Sequence, residues 1–389
     1  MHHQSVIHIF FLIFTGTTIL STLALFTRQS LLVAYILLGG ILGPFGLGLI
    51  KDSVMIQQTG NVGILFLLFL LGLNLQPQSL LHSLRKMSSI TFISSAIFLI
   101  TGVVCSRFFG FSWINSLIIG IAMSFSSTII GLKLLPTTIL HHQRTGELMI
   151  SVLLLQDLLA IGVLLFLQAV GDRVVSFQNL GFIISAFPVL LLIAYIFQHY
   201  ILARLVSRFD QIHEYLFVLS IAWCLCMSEL ATFMGLSEEI GAFIAGIALA
   251  TNPISIYIAE SLKPLRDFFL VIFFFTVGAS FDFSYFPQII VPALTLAGLM
   301  LVIKPVVFSW LLQKSGEIKA NSWEIGVRLG QISEFSLLVV YLSLETDLIE
   351  PKTSIVVQAA TIITFFVSCY WVGMRYPTPL AASEKLRRD

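Results

Sequence analysis

Asp157 and Lys304 are the residues of this sequence whose side chains and positions most favour ion-binding chemistry. Each lies in the middle of a long apolar stretch, SVLLLQDLLAIGVLLF for the aspartate and LAGLMLVIKPVVFSWLL for the lysine. At a helical rise of 1.5 Å per residue, they lie about 16 and 13 Å from the predicted cytoplasmic ends of their helices, close to the midplane of a bilayer. An ionisable group at that depth is energetically costly and indicates a functional site.

The sequence leaves two interpretations of this pair open. Asp157 and Lys304 could form a buried structural ion pair, or Asp157 could be a titratable carboxylate that binds a cation when Lys304 releases it. The neighbouring Gln156 could orient the carboxylate, offer a carbonyl ligand or make a polar helix–helix contact. Arg328 lies only about 9 Å from the predicted cytoplasmic end, so we expect it to snorkel or to pair with Glu324.

Two other apolar segments contain polar runs at the same predicted depth. Hydroxyl, amide and glycine groups allow a spanning helix to unwind, because neighbouring groups can satisfy the freed backbone. Each run alone could equally be a polar contact or a close-packed seam. The two runs occupy corresponding places in the two halves of the chain, which predicts two discontinuous helices within an inverted repeat. The residues concerned are Ser124, Ser126, Ser127 and Thr128 in GIAMSFSSTIIGLKLLP, and Gly330, Gln331, Ser333 and Glu334 in GVRLGQISEFSLLVV.

The composition indicates that these residues belong to a membrane protein. Of the 389 residues 57% are hydrophobic and 11% are charged, whereas a soluble chain is about 25% charged. The apolar runs are continuous and do not alternate as in a membrane barrel, so we predict an all-α polytopic membrane protein. The net charge of +1 gives no indication of nucleic-acid binding, and the four scattered cysteines give none of a metal site.

Thirteen apolar segments are separated by proline, glycine, charged and polar clusters. The first six and the last six form the two predicted repeats, with the seventh as connector. An odd number of spans places the two termini on opposite sides of the membrane. The segments lie near residues 5–26, 31–50, 60–75, 88–110, 113–134, 146–170, 177–199, 213–234, 238–251, 265–282, 287–312, 322–344 and 353–374.

The distribution of lysine and arginine predicts the orientation of the chain. Fifteen of the 21 residues fall on one side of the membrane, four on the other and two inside segments, and cytoplasmic loops are the richer ones. We therefore expect a cytoplasmic C-terminus, an N-terminus outside, and a location in the cell inner membrane. The first apolar run is long and lacks the basic residues of a secretory leader, so we expect a span and not a cleaved signal peptide.

Six ordered motifs resemble the membrane domain of the monovalent cation:proton antiporter-2 family: GILFLLFLLGLNLQPQSL, SFSSTIIGLKLL, LLLQDLLAI, LSEEIGAFIAGIALA, FFFTVGASFDF and GQISEFSLL. The Gln156–Asp157 pair is similar to that of potassium:proton antiporters related to the glutathione-gated potassium efflux systems. The resemblance implies a homodimer in which a core bundle with two crossing, unwound helices moves against a dimerisation domain. It further implies that Asp157 carries the cation and the proton and that Lys304 is its charge partner. The residues implied to line the site are Ser126, Ser127 and Thr128.

Three departures from the family pattern restrict what the resemblance implies. Gln156 stands where electrogenic relatives have a second acid, so their two-proton stoichiometry is not expected. Ser333 replaces the usual glycine before Glu334, which leaves the point of unwinding open. The sequence ends soon after its last segment. We therefore expect residues 1–376 to form the exchanger domain and 377–389 a short cytoplasmic tail, and leave open a separate regulatory subunit.

The function expected from these residues is secondary antiport of a monovalent cation against protons, with potassium favoured and sodium as the alternative. The cation and the protons are the transported partners, membrane lipid surrounds the protein, and no cofactor is expected. A ligand-gated potassium channel would need a continuous polar lining, whereas the polar residues cluster in one slab. An intramembrane enzyme is disfavoured because the eight histidines lie at termini or helix ends.

Overall fold

The computed structural model describes residues 6–27, 29, 31–50, 53–74, 77–133, 135, 144–171, 177–209, 211–236, 238–250 and 255–378. Its first half contains α1 (Val6–Phe26), α2 (Leu31–Leu42), α3 (Ser53–Asn74), α4 (Pro77–Phe108), α5 (Trp113–Met123), α6 (Thr128–Lys133), α7 (Arg144–Gly171) and α8 (Phe177–Phe197). A π-helical turn (Gln198–Leu202) joins α8 to α9 (Ala203–Arg208). The second half contains α10 (His213–Phe233), α11 (Glu238–Ala250), α12 (Ser255–Ala279), α13 (Phe286–Lys314), α14 (Lys319–Arg328), α15 (Glu334–Glu345) and α16 (Pro351–Arg375).

Seven helices of the described residues are long and apolar enough to cross a membrane, judged by length and composition. The expectation of an all-α, multi-pass membrane protein is therefore confirmed. The seven candidate spans are Ile7–Phe26, Met87–Phe108, Arg144–Leu164, Pro188–Arg208, His213–Phe233, Phe283–Lys314 and Pro351–Arg375.

Several helix boundaries differ from the predicted segments, each for a local physical reason. α2 ends at Leu42 instead of residue 50, because Pro44 has no amide hydrogen to continue the helical bonding and Gly48 adopts a positive φ of 64°. α12 begins at Ser255, ten residues before the predicted start, because its charged first turns are exposed and do not interrupt the helix. The predicted tail 377–389 lies, except for its first two residues, outside the described part of the chain.

Two helices are interrupted where the polar runs predicted it. The first interruption covers residues 124–127, between α5 and α6, and the second covers residues 329–333, between α14 and α15. Ser333 caps the N-terminus of α15, since its hydroxyl oxygen accepts a hydrogen bond of 3.1 Å from the amide of Phe335. The helical hydrogen bonding thus stops at both polar runs, and serine at position 333 is compatible with the unwinding.

The helices fall into two compact units. The first contains the described residues within 1–51, 82–167 and 277–389, and the second those within 52–81 and 168–276. Both interruptions lie in the first unit, where α13 packs against α14 and α16, and α15 packs against α5 and α16. In the second unit, α11 packs against α3 and α10. The first unit therefore contains every residue that the sequence assigned to the site.

Glycines on α11 bring backbones of the second unit into direct contact. A Cβ atom on Gly246 would lie 2.1 Å from the carbonyl oxygen of Phe69 on α3, and one on Gly241 would lie 2.2 Å from that of Met227 on α10. Real Cβ atoms essentially never approach so closely, so only glycine permits this spacing. The motif GAFIAGIALA allows three helices to pack at minimal separation.

We expect Gly246→Ala to lower the free energy of unfolding by about 1–3 kcal/mol, because the added methyl group forces α11 away from α3. The matched control is Gly298→Ala on α13, where a Cβ atom would meet nothing within 4 Å. That control should raise stability by about 0.5–1 kcal/mol through lower unfolded-state entropy. Thermal unfolding of the purified protein in detergent measures both changes, and equal stability of the two variants would contradict the packing described above.

Candidate functional site

Asp157 is a buried carboxylate that faces the first interruption. It lies on α7 with 1% of its surface exposed. Both of its carboxylate oxygens accept a hydrogen bond from the hydroxyl of Thr128, each at 3.0 Å. Thr128 is the first residue of α6, so the interruption places this hydroxyl beside the acid. A single protein hydroxyl leaves lone pairs on both oxygens available to a further ligand.

Gln156 supports the unwound backbone next to Asp157. Its side-chain oxygen accepts a hydrogen bond of 3.0 Å from the amide of Ser126, and its side-chain nitrogen donates one of 3.3 Å to the carbonyl of Ser124. These two bonds satisfy backbone groups that have no intrahelical partner at the interruption. Of the roles that the sequence left open for Gln156, the structure favours the polar helix–helix contact.

Lys304 connects the two interruptions. Its ammonium group donates hydrogen bonds to the carbonyl of Phe125 in the first interruption, to the hydroxyl of Ser126 at 3.4 Å, and to the carbonyl of Gln331 in the second at 3.1 Å. The side chain is fully buried, and the ammonium group lies 5.3 Å from the ring centre of Phe98. Unwound backbone thus supplies the acceptors that a buried ammonium requires.

The structural ion pair considered for Asp157 and Lys304 is wrong for this conformation. No ion pair joins these two residues, both of which belong to the described chain. The physical reason is that two backbone carbonyls and a hydroxyl already accept the three ammonium protons. In this conformation Lys304 and Asp157 are linked through the first interruption, because Lys304 bonds to Phe125 and Ser126 and Asp157 bonds to Thr128.

The second interruption is held to the first and to the last helix. Gln331 donates to the carbonyl of Ser127 at 3.4 Å and accepts from the hydroxyl of Ser368 at 3.1 Å. The amide of Ile332 donates to the hydroxyl of Thr364 at 3.1 Å. Ser127 in turn caps α6, because its hydroxyl accepts from the amide of Ile130 at 3.1 Å. The unwound segments therefore have side-chain partners for backbone groups that a helix would satisfy internally.

Glu334 is a second acid in the same region. It begins α15 and is 2% exposed. Its position in the first turn of a helix places it at the favourable end of the helix dipole. The site therefore contains two buried carboxyl groups and one ammonium group.

Three functional contacts were not predicted from the sequence: the carbonyl of Phe125 and the hydroxyls of Thr364 and Ser368. A backbone carbonyl cannot be predicted from residue types, because every residue has one. The two hydroxyls could have been predicted, because polar residues recur at helical spacing along α16. This polar face is formed by Ser354, Gln358, Thr361, Thr364 and Ser368.

The donor set of the site suits a hard monovalent ion. The carboxylate oxygens of Asp157 and the hydroxyl oxygen of Thr128 are ligands of the kind that hard cations prefer. Among the described residues, no group of three or more His, Cys, Asp or Glu could hold a metal ion. The carboxylate of Asp157, with the hydroxyl of Thr128 beside it, is therefore the candidate ligand for such an ion.

The comparison with known families decides what kind of protein uses this arrangement. The family model described as the transmembrane sodium/hydrogen exchanger matches residues 10–374. The chain belongs to the sodium/hydrogen exchanger family. The resemblance inferred from the sequence motifs is thereby confirmed, and the family comprises cation:proton antiporters and not enzymes.

Relatives of this chain carry names of ion transporters. The iron transporter MagA of Paramagnetospirillum magneticum is 23% identical over 89% of this chain and 80% of its own length. K(+) efflux antiporter 4 of Arabidopsis thaliana is 25% identical over 86% of this chain and 58% of its own length. The glutathione-regulated potassium-efflux system protein KefC of Salmonella typhi is 28% identical over 82% of this chain and 52% of its own length. The chain thus spans just over half the length of the latter two.

We expect Gln156→Leu to destabilise the first unit by about 1–3 kcal/mol for each backbone group that it leaves unpaired at the first interruption. The matched control is Gln313→Leu, since Gln313 is an exposed residue near the end of α13 whose side chain bonds only to Ser309. Thermal unfolding in detergent, with Asp157 intact in both variants, measures the difference. A loss no greater than that of the control would contradict the supporting role of Gln156.

Proposed function

We propose that this protein is a secondary antiporter that exchanges a monovalent cation, potassium in the first instance, for protons by alternating access. The observation that carries the proposal is the buried carboxylate of Asp157 beside an unwound segment whose backbone is held by Gln156 and Lys304. A carboxylate in such a place binds a proton or a desolvated cation, and the two compete for the same oxygens.

In the proposed cycle, Asp157 binds the cation in its ionised form. The hydroxyl of Thr128 and nearby carbonyl oxygens of the interruption replace part of the hydration shell of the ion. Protonation of the carboxylate removes its charge and releases the cation. Lys304 acts as charge partner at a distance, and its bonds to both interruptions couple the cation site to the second unwound segment.

The remaining fold-level expectations form part of the proposal. Thirteen spans, arranged as two inverted repeats of six with one connector, would bring α5–α6 and α14–α15 to a midplane site as crossing helices. The two interruptions support this arrangement, because they fall at corresponding positions of the two predicted repeats. A homodimer in the inner membrane, with its C-terminus in the cytoplasm, completes the proposal.

Potassium is favoured over other cations by the names of two relatives, which are called potassium efflux proteins. A sodium/proton antiporter would use the same carboxylate with a different ligand count. The name of MagA makes ferrous iron a further cation to be tested. A ligand-gated potassium channel is less well supported, because the family model that matches the chain describes an exchanger.

We expect Asp157→Asn to abolish cation-driven proton flux while the protein stays folded, because the amide has the same volume but cannot carry the negative charge. Proteoliposomes containing a pH-sensitive dye measure the flux after addition of potassium, sodium, lithium or ferrous iron. The matched control is Asp267→Asn, since Asp267 is exposed and pairs only with Arg266. Retained exchange in the folded Asp157→Asn variant would refute the single-carboxylate mechanism.

We expect exchange to be electroneutral, one cation for one proton, because Gln156 cannot take a second proton and Lys304 keeps its own. A potential imposed by a thiocyanate gradient should leave the rate unchanged, whereas net movement of one charge would be worth about 2.3 kcal/mol per 100 mV. A voltage-dependent rate would contradict this expectation. If Glu334→Gln then removed the voltage dependence, the second proton would be assigned to Glu334.

A further inference from the structure

Arg328 is a fully buried guanidinium that the proposed transport cycle does not use. It is the last residue of α14, and none of its surface is exposed. Its Nε and Nη2 atoms donate to one carboxylate oxygen of Glu324, at 2.9 and 2.8 Å. The expected pairing with Glu324 is therefore confirmed, whereas the alternative that Arg328 snorkels to the surface is wrong.

The same guanidinium also holds the chain that leaves the last helix. Its Nη2 atom donates a hydrogen bond of 2.9 Å to the carbonyl of Pro377, and its centre lies 5.4 Å from the ring centre of Tyr376. Thr378, the next residue, is fully buried. Arg328 thus joins two separate parts of the chain: the first half of an interrupted helix and the segment that follows α16.

Arg328 is also close in sequence to the carbonyl that receives Lys304. Only two residues, Leu329 and Gly330, separate it from Gln331, whose carbonyl oxygen accepts from the ammonium at 3.1 Å. The intervening turn is fixed at both ends, because the amide of Leu329 donates to the carbonyl of Ile325 at 3.0 Å and the amide of Gly330 to that of Val327 at 3.2 Å. The backbone that carries the guanidinium therefore continues through hydrogen-bonded residues into the second interruption.

The packing of α14 against α13 leaves little room to absorb such a displacement. A Cβ atom on Gly326 would lie 2.5 Å from the carbonyl oxygen of Pro305, and one on Gly330 would lie 3.3 Å from its ring. Pro305 directly follows Lys304. Contacts this close transmit small movements, because a packed interface shifts between discrete arrangements and does not deform gradually.

We propose that Arg328 is a positioning residue that ties residues 376–378 to the second interruption, so that the position of this segment sets the geometry of the carbonyl that holds Lys304. The structural coupling is independent of the proposed antiport, and only the expected effect of Arg328 on transport rests on that proposed function. An ion pair with Glu324 alone would balance the charge of Arg328. The additional hydrogen bond to the carbonyl of Pro377 connects the segment after α16 to Arg328 and hence to the second interruption.

Two variants separate positioning from a purely structural role. Arg328→Lys keeps the positive charge but loses the planar fork that reaches Glu324 and Pro377 together. Insertion of two glycines between Arg375 and Tyr376 leaves Arg328 and Glu324 unchanged and slackens only the segment after α16. The matched control is the same insertion between Gln211 and Ile212, two exposed residues in the link before α10.

Hydrogen exchange of the full-length protein in detergent, followed by mass spectrometry, reads the coupling without any transport. We expect the insertion after Arg375 and Arg328→Lys each to speed exchange of the amides of residues 329–333 about tenfold, and the control insertion to leave it unchanged. In proteoliposomes, both variants should raise the cation KM about threefold relative to wild type, with little change in maximal rate per folded protein.

An unchanged exchange rate at residues 329–333, or an unchanged cation KM, in the insertion variant would overturn the inference. If Arg328→Lys fails to fold, the insertion variant alone still tests the coupling between residues 376–378 and the second interruption. Failure of the proposed antiport gives a different result, because the wild-type protein would then show no cation-driven proton flux while hydrogen exchange still reported the coupling.

Discussion

The buried ammonium group of Lys304 holds together two unwound backbone segments that come from opposite halves of the chain. A charge of this kind inside a bilayer is costly unless every donor finds an acceptor. The carbonyls inside a helix already accept hydrogen bonds from its own amides. The two interruptions therefore supply the carbonyl acceptors without which a charged Lys304 could not be buried. Conversely, the interruptions leave backbone carbonyls exposed in an apolar interior, and the ammonium satisfies one in each. The charge and the unwinding stabilise each other, and Asp157 obtains its ligand environment from both.

Most of the site could be predicted from residue type and spacing. Charged residues in apolar stretches are rare enough that Asp157, Lys304, Arg328 and Glu334 stood out in the sequence, and the structure buries all four. The two polar runs also predicted where the helices unwind, because clustered hydroxyl, amide and glycine groups make unwinding tolerable. Helix ends were predicted less well. Charged first turns such as those of α12 continue as helix beyond the apolar stretch, and hydropathy alone does not indicate this.

The contacts between the predicted residues could not be derived from the sequence. Depth along each helix suggested that Lys304 faces Asp157, yet depth fixes neither the rotation of a helix nor the acceptors that unwound backbone provides. The carbonyl of Phe125 takes the place that a carboxylate was expected to occupy. The sequence left three roles open for Gln156 for the same reason, and in the structure its two polar side-chain atoms bond to the backbone of the first interruption.

The backbone bonds of Gln156 have a consequence for how such transporters diverge. An acid at this position would keep an acceptor for the amide of Ser126 but would lose the donor that satisfies the carbonyl of Ser124. In its ionised form, it would turn a negative charge towards that carbonyl. A one-step change from an amide to an acid beside Asp157 would therefore carry a structural penalty before it conferred any new stoichiometry. Lineages with one acid and lineages with two acids should consequently also differ at position 124 or its neighbours. The number of charges moved per cycle would then depend on several residues that change together.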